Sequence, residues 1–145
     1  MDIKKFIKDN AIYSFENNIY DFIMKKDTNH WDDLYKDGIK GNPQNDFDNL
    51  KNFIDEAIKD RESCKTYLPI LDLLSQKKNV QSLIEIGSGS GTFSLIAKKL
   101  GLINEVCLVE KSMTALLISQ KLFSAFNEDA LFVYADALDL PFKNY

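Results

Sequence analysis

Glu85 stands two residues ahead of the first of three alternating glycines, Gly87, Gly89 and Gly91, in the stretch SLIEIGSGSGTF from Ser82 to Phe93. Two further acids follow at matched intervals, Glu110 after 25 residues and Asp136 after another 26. Glycines in a turn let a ligand approach the backbone closely. A carboxylate nearby can accept two hydroxyls in charge-assisted hydrogen bonds, whereas it would repel a 2′-phosphate. The pattern predicts a nucleotide-type binding loop ringed by acids, with an NADP reading disfavoured. Taken singly, Glu110 reads as a solvated strand end and Asp136 as a turn or capping residue; the ordered set is what lifts them.

The elements that must position these groups are legible in the apolar pattern. Leu83, Ile84 and Ile86 form a run that stops at Gly87, and an amphipathic segment, Thr92 to Leu100, begins at once. That predicts a buried parallel strand, a tight turn and a helix start, since a strand covered on both faces is nearly continuously apolar. Glu105 to Val109 reads as a second strand closed by Glu110, and Leu131 to Tyr134 as a third, followed by Ala135 and Asp136. Each strand then carries an acid at or near its carboxyl end, the edge where open α/β sheets bind ligands. Gly101 stops the first crossover helix, and Ser112 caps a second, Met113 to about Phe126, with Leu116, Leu117, Gln120 and Phe123 on its inner side. Right-handed crossovers predict the spatial order third, second, first.

With these residues in place the chain resembles the class I S-adenosylmethionine-dependent methyltransferases, especially the broad small-molecule type. The resemblance covers about Tyr67 to Tyr145, the cofactor half of that family's domain. It implies that Glu85, Gly87, Gly89 and Gly91, with Ser88 between them, hold the methionine part of S-adenosylmethionine. It further implies that Glu110, with Lys111 beside it, takes the ribose hydroxyls and that Asp136 with Ala137 meets the adenine. The run Ala137 to Phe142 matches the Ala-x-x-Leu-Pro-Phe that often follows in the family. The implied fold is α/β, a Rossmann-like three-layer parallel sheet with strands ordered 3-2-1, partial and preceded by N-terminal helices. The matched residues include no catalytic base. A NAD-dependent oxidoreductase also ends its second strand with an acid, but it would put the third glycine where Thr92 sits and has no role for Glu85 or Asp136.

Composition narrows the classes further. The 145 residues, 45% hydrophobic, can bury one core. A net charge of −4 and a single arginine, Arg61, argue against a broad nucleic-acid-binding surface and against bidentate phosphate clamps. Charges interrupt the N-terminal MDIKKFIKDN where a signal peptide needs an apolar core, and no apolar stretch reaches membrane-spanning length, so a cytoplasmic protein without a membrane partner is expected. Cys64 and Cys107 offer neither a disulfide framework nor a metal spacing.

Residues 1–45 read as an N-terminal helical segment and 46–145 as the cofactor-binding domain. Ile12, Phe15, Ile19, Phe22 and Ile23 recur at helical spacing, predicting a helix up to about Lys26 that packs on the core, or serves as a lid or interface. His30 reads as a surface residue. Trp31 and Tyr35 share one helix face as packing residues; a loose likeness to a Trp-x-x-x-Tyr segment of the family places them at the pocket. Gly38 to Asn45 predicts a loop and hinge, followed by a helix carrying Phe47, Leu50, Ile54 and Ile58 and then one carrying Tyr67, Ile70, Leu71 and Leu74. Compared with the family, the chain stops before the fourth strand, which would leave the first strand with an unpaired edge. The expectation is a fragment or one subunit of a split methyltransferase, with a complementing subunit or a second copy over that edge. A non-catalytic, cofactor-binding or regulatory subunit is the alternative, and the acceptor is expected to be a small molecule.

Overall fold

The computed structural model describes residues 2–23, 32–33, 43–77 and 80–143. They form an α/β fold built on a five-stranded, mostly parallel mixed sheet. Its strands are β1 (Ser14–Glu16), β2 (Ile19–Asp21), β3 (Ser82–Ile86), β4 (Glu105–Glu110) and β5 (Leu131–Tyr134), in the spatial order β1-β2-β5-β4-β3. Helices α1 (Pro43–Lys59), α2 (Leu68–Gln76), α3 (Thr92–Lys99) and α4 (Met113–Ala125) accompany them, with short 3-10 turns at Ile3–Lys5 and Arg61–Ser63. Among the described residues no helix is long and apolar enough to cross a membrane.

Three strands were expected and five are present, so the full order differs from 3-2-1. The two additional strands come from the stretch expected to be helical. Asn17 and Asn18 sit at φ 51° and 61°, both left-handed, and make the two-residue turn of a tight hairpin in which Phe15 faces Tyr20. Positive φ at both turn positions matches the twist of a hairpin, and asparagine tolerates it. Tyr13 stacks on Tyr20 and Phe22, and Phe15 on Tyr20, at centroid distances of 4.5–5.6 Å. Those cross-strand aromatic pairs outweigh the helical spacing of Ile12, Phe15, Ile19 and Phe22. β2 then pairs in parallel with β5, and Gln120 of α4 donates to the Asn17 carbonyl at 2.8 Å, fixing the turn.

The parallel register Glu85 to Leu108, Val109 to Val133 and Glu110 to Tyr134 sorts side chains onto two faces. Val106, Leu108, Phe132 and Tyr134 join Ile54, Leu71, Ile96, Leu116 and Phe123 from the four α-helices in one core. Cys107, Val109, Val133 and Ala135 form a second, smaller core with Ile3 and Ile7. This face is closed by extended chain: Ile7 bridges Phe142, the Lys8 amide donates to the Pro141 carbonyl, and that of Lys143 to Phe6. A three-layer sandwich needs α-helices here, and none of α1 to α4 contributes to this core; Ile3 comes from a short 3-10 turn, Ile3–Lys5. The buried stripes of all four go to the first face instead.

Two smaller corrections concern helix ends and burial. α1 begins at Pro43, inside the stretch expected to be loop, since proline suits the first helical turn. On α4 the buried positions are Ala115, Leu116, Ser119, Leu122 and Phe123, while Leu117 is exposed. β3 lies at the sheet edge, and Ile84 and Ile86 are 37% and 50% exposed on the thinly covered face. An open hollow of about 530 Å³ lies there, lined by Ile84, Ile86, Phe6 and the 137–143 stretch.

Candidate functional site

The glycine turn follows β3 directly. Gly87, Gly89 and Gly91 have φ of +70°, +53° and +68°, the left-handed region that disfavours side chains. They differ in what surrounds them. A Cβ on Gly91 would meet Leu108 Cδ1 at 2.5 Å, so this glycine lets α3 start against β4 and α4. A Cβ on Gly87 would meet nothing within 4 Å, which leaves that backbone open to an approaching group. The Gly87 and Ser88 amides both donate to the Val109 carbonyl, at 2.8 and 3.2 Å, anchoring the turn to β4.

Glu110, at the end of β4, is wrapped by the turn. Its Oε2 accepts from the Gly89 amide at 2.8 Å, and its Oε1 from the Lys111 and Ser112 amides at 2.7 and 3.0 Å. A carboxylate offers about four acceptor sites, so three backbone donors leave room for one further strong partner without rearrangement. Glu85 lies on the same sheet face, opposite Leu108. Ser94 Oγ, in the first turn of α3, donates to its Oε2 at 2.5 Å. Burial pushes the Glu85 carboxyl above the usual carboxylate range; the Ser94 hydrogen bonds oppose that shift, and the nearby Glu110 charge adds to it.

Asp136 follows β5 on the same carboxyl edge, where the Ala135 amide donates to the Glu110 carbonyl at 3.2 Å. Lys111 Nζ reaches Asp136 Oδ2 at 2.5 Å, and the Leu138 amide caps Oδ1 at 3.0 Å. The Lys111 ammonium holds the Asp136 carboxyl below its ordinary value, helped by the Leu138 amide. Glu85, Glu110 and Asp136 therefore stand at the carboxyl ends of three adjacent strands, with Lys111 between the last two. Ala137 lies next to Asp136 but lines the hollow on the opposite side of the sheet. Ser88 Oγ is buried and has no hydrogen-bond partner among the described residues. An orphaned hydroxyl of this kind costs about 1–3 kcal/mol until something meets it. His30, Trp31 and Tyr35 lie outside the described residues.

Two participants were not anticipated. Ser94 lies nine residues after Glu85, on the α3 face turned toward β3, and the strand-turn-helix geometry alone could have pointed to it. Asp32 had no such signal. Its Oδ1 accepts from Ser112 Oγ at 2.7 Å and from the Thr114 amide at 3.0 Å, contacts separated by 80 and 82 residues. Ser112 itself caps α4 as expected, accepting from the Ala115 amide at 3.1 Å.

Chemically, the edge presents three carboxylates against one ammonium, a setting that favours cationic and hydroxyl-bearing groups and repels anions. No family model matches the chain, and no curated protein is significantly similar to it.

Proposed function

We propose that this chain is the S-adenosylmethionine-binding part of a methyltransferase with a Rossmann-like fold, acting on a small-molecule acceptor. The observation that carries the reading is the alignment of Glu85, Glu110 and Asp136 at the carboxyl ends of three adjacent parallel strands, beside a turn of left-handed glycines. The residues fit that cofactor. Gly87 leaves open backbone for its methionine end, Ser88 has a hydroxyl without a partner, and the acidic edge suits a ligand carrying a sulfonium and an ammonium. The same charge balance works against NAD, whose pyrophosphate would face Glu85 and Glu110.

Bound there, the cofactor supplies a methyl group already activated on sulfur. The work left to the protein is to hold an acceptor atom in line with it, a contribution of about 7–11 kcal/mol at best. Glu85, steadied by Ser94, orients the loop around the methionine end. Glu110 accepts one ribose hydroxyl with its remaining capacity and a second by giving up one of its backbone amides, and Asp136, held by Lys111, takes the adenine amino group.

A second reading has its own observation. Glu110 and Asp136 already have partners within the chain, as they would in a non-catalytic subunit whose acids brace the loop. Thermal unfolding with S-adenosylhomocysteine and, separately, with NAD distinguishes these readings. At a hundred times its Kd a ligand stabilises the fold by about 2.7 kcal/mol. S-adenosylhomocysteine should give that shift and NAD none; Glu110→Ala should abolish most of it and Glu105→Ala, at the other end of β4, should not. A shift with NAD alone overturns the proposal, and no shift with either favours the bracing role.

A further inference from the structure

We infer that Asp32 is a positioning residue for the Glu110 site, acting through Ser112. The inference rests on the cofactor reading above for its binding readout, but its physical basis is a hydrogen-bond chain. Asp32 Oδ1 accepts from Ser112 Oγ at 2.7 Å; the Ser112 amide donates to Glu110 Oε1 at 3.0 Å; Glu110 Oε2 accepts from the Gly89 amide at 2.8 Å. Four residues from three distant parts of the sequence thus form one continuous path, from the segment before α1 to the middle of the glycine turn.

Ser112 is the joint in that path. It is fully buried, and its hydroxyl is committed twice, donating to Asp32 and accepting from the Ala115 amide. Asp32 also takes the Thr114 amide at 3.0 Å, so its carboxylate satisfies a first-turn donor of α4 that the Ser112 side chain leaves unmet. A negative charge in the first turn of a helix is stabilising, and the two bonds fix the Ser112 backbone against the strand end. The Ser112 amide then meets Glu110 from a set direction, and Glu110 in turn shapes the turn at Gly89. Removing Asp32 frees the Ser112 hydroxyl to rotate and loosens the α4 start by one donor. The effect reaches Glu110 without Asp32 touching any ligand.

This placement makes Asp32 part of the site's support, although it is not on the strand edge. It also separates the role of Asp32 from that of a general stabiliser. A stabilising cap raises the unfolding free energy alone, whereas a residue acting through Ser112 must lose its effect once Glu110 is gone.

A double-mutant cycle reads that coupling. S-adenosylhomocysteine affinity is measured by calorimetric titration for the full chain, Asp32→Ala, Asp32→Asn, Glu110→Ala and the Asp32→Ala/Glu110→Ala pair. Asp32→Ala should raise Kd about tenfold, the scale of one lost helix-cap contact. Asp32→Asn, which keeps an acceptor oxygen for both donors, should recover most of that. The pair should bind no more weakly than Glu110→Ala alone. An unchanged Kd for Asp32→Ala, or the same fold-loss in both backgrounds, overturns the inference. If the parent chain binds no S-adenosylhomocysteine, the cofactor reading fails, and hydrogen exchange of the Gly89 amide in the ligand-free protein decides for Asp32. Faster exchange in Asp32→Ala, with no additional increase in the Glu110→Ala background, supports it; unaltered exchange overturns it.

Discussion

Gly91→Ala, set against Gly87→Ala, separates the tightly packed end of the turn from its open end. At Gly91 an added Cβ lands 2.5 Å from Leu108 Cδ1, 3.3 Å from Phe123 Cε2 and 3.4 Å from Ser119 Oγ, at a φ of +68°. Leu108 is fully buried on β4 and Phe123 nearly so on α4, so neither can swing into solvent to make room. Overpacking of this kind costs about 1–3 kcal/mol, and holding alanine in the left-handed region adds about 1–2 kcal/mol. The sum, about 2–5 kcal/mol, is a large share of the 5–15 kcal/mol that typically holds a domain together. Gly87→Ala bears only the second cost, because nothing lies within 4 Å of its Cβ. Thermal unfolding followed by circular dichroism should therefore show a clearly larger fall in Tm for Gly91→Ala. The order reverses for ligand response: Gly87→Ala, still folded, should lose more of the S-adenosylhomocysteine shift than its small destabilisation explains. Equal Tm losses for the two variants would refute the division of labour.

Two further predictions concern buried ionisable groups. The folded-state pKa of Glu85 is raised chiefly by burial, so the folded protein binds that proton more tightly than the unfolded chain, and stability falls as pH rises from the ordinary carboxylate value through the raised one. Glu85→Gln removes this fall, and urea midpoints measured between about pH 4 and 8 should show the variant gaining on the parent as pH rises; parallel curves would contradict it. Burial pushes the Cys107 thiol up to about 12 and raises Cys64 as well, so neither should be alkylated by iodoacetamide at neutral pH until the chain unfolds. Rapid labelling of Cys107 in the native protein would show that β4 opens far more readily than its packing implies.

The half of the fold from β3 onward was legible because local signals and tertiary demands agree there. The apolar run of β3, the turn glycines and the Ser112 cap each name one conformation, and the intervals between Glu85, Glu110 and Asp136 follow from strand-helix-strand lengths. The N-terminal stretch misled because two periodicities coexist in it. Ile12, Phe15, Ile19 and Phe22 satisfy a helix, while Tyr13, Phe15, Tyr20 and Phe22 satisfy a hairpin, and the Asn17–Asn18 turn decides between them. The sheet's other face could not be read either, since it is closed by Ile7 meeting Phe142, a contact spanning almost the whole chain. Asp32 belongs to the same class: its partners lie 80 residues away, and no spacing in the sequence connects them.

The turn's shape rests on Glu110 as much as on its glycines. Gly89 is held at both ends, its amide by Glu110 Oε2 at 2.8 Å and its carbonyl by Ser119 Oγ at 3.1 Å, while Gly87 and Ser88 hang from the Val109 carbonyl. A loop fixed this way before anything binds loses little conformational entropy on binding, and preorganisation of that kind raises affinity by lowering the ordering cost. If the site is the one proposed, Glu110 serves two demands with one carboxylate, bracing Gly89 and meeting a ligand. Since three of its acceptor sites are already filled by backbone amides, a ligand that claims two must displace one of them, and the Gly89 bond, the one to the turn itself, is the contact whose loss the turn would feel first. Ligand binding and loop geometry at this edge are then linked through a single side chain, which is why the support behind it, from Ser112 and Asp32, bears on the site.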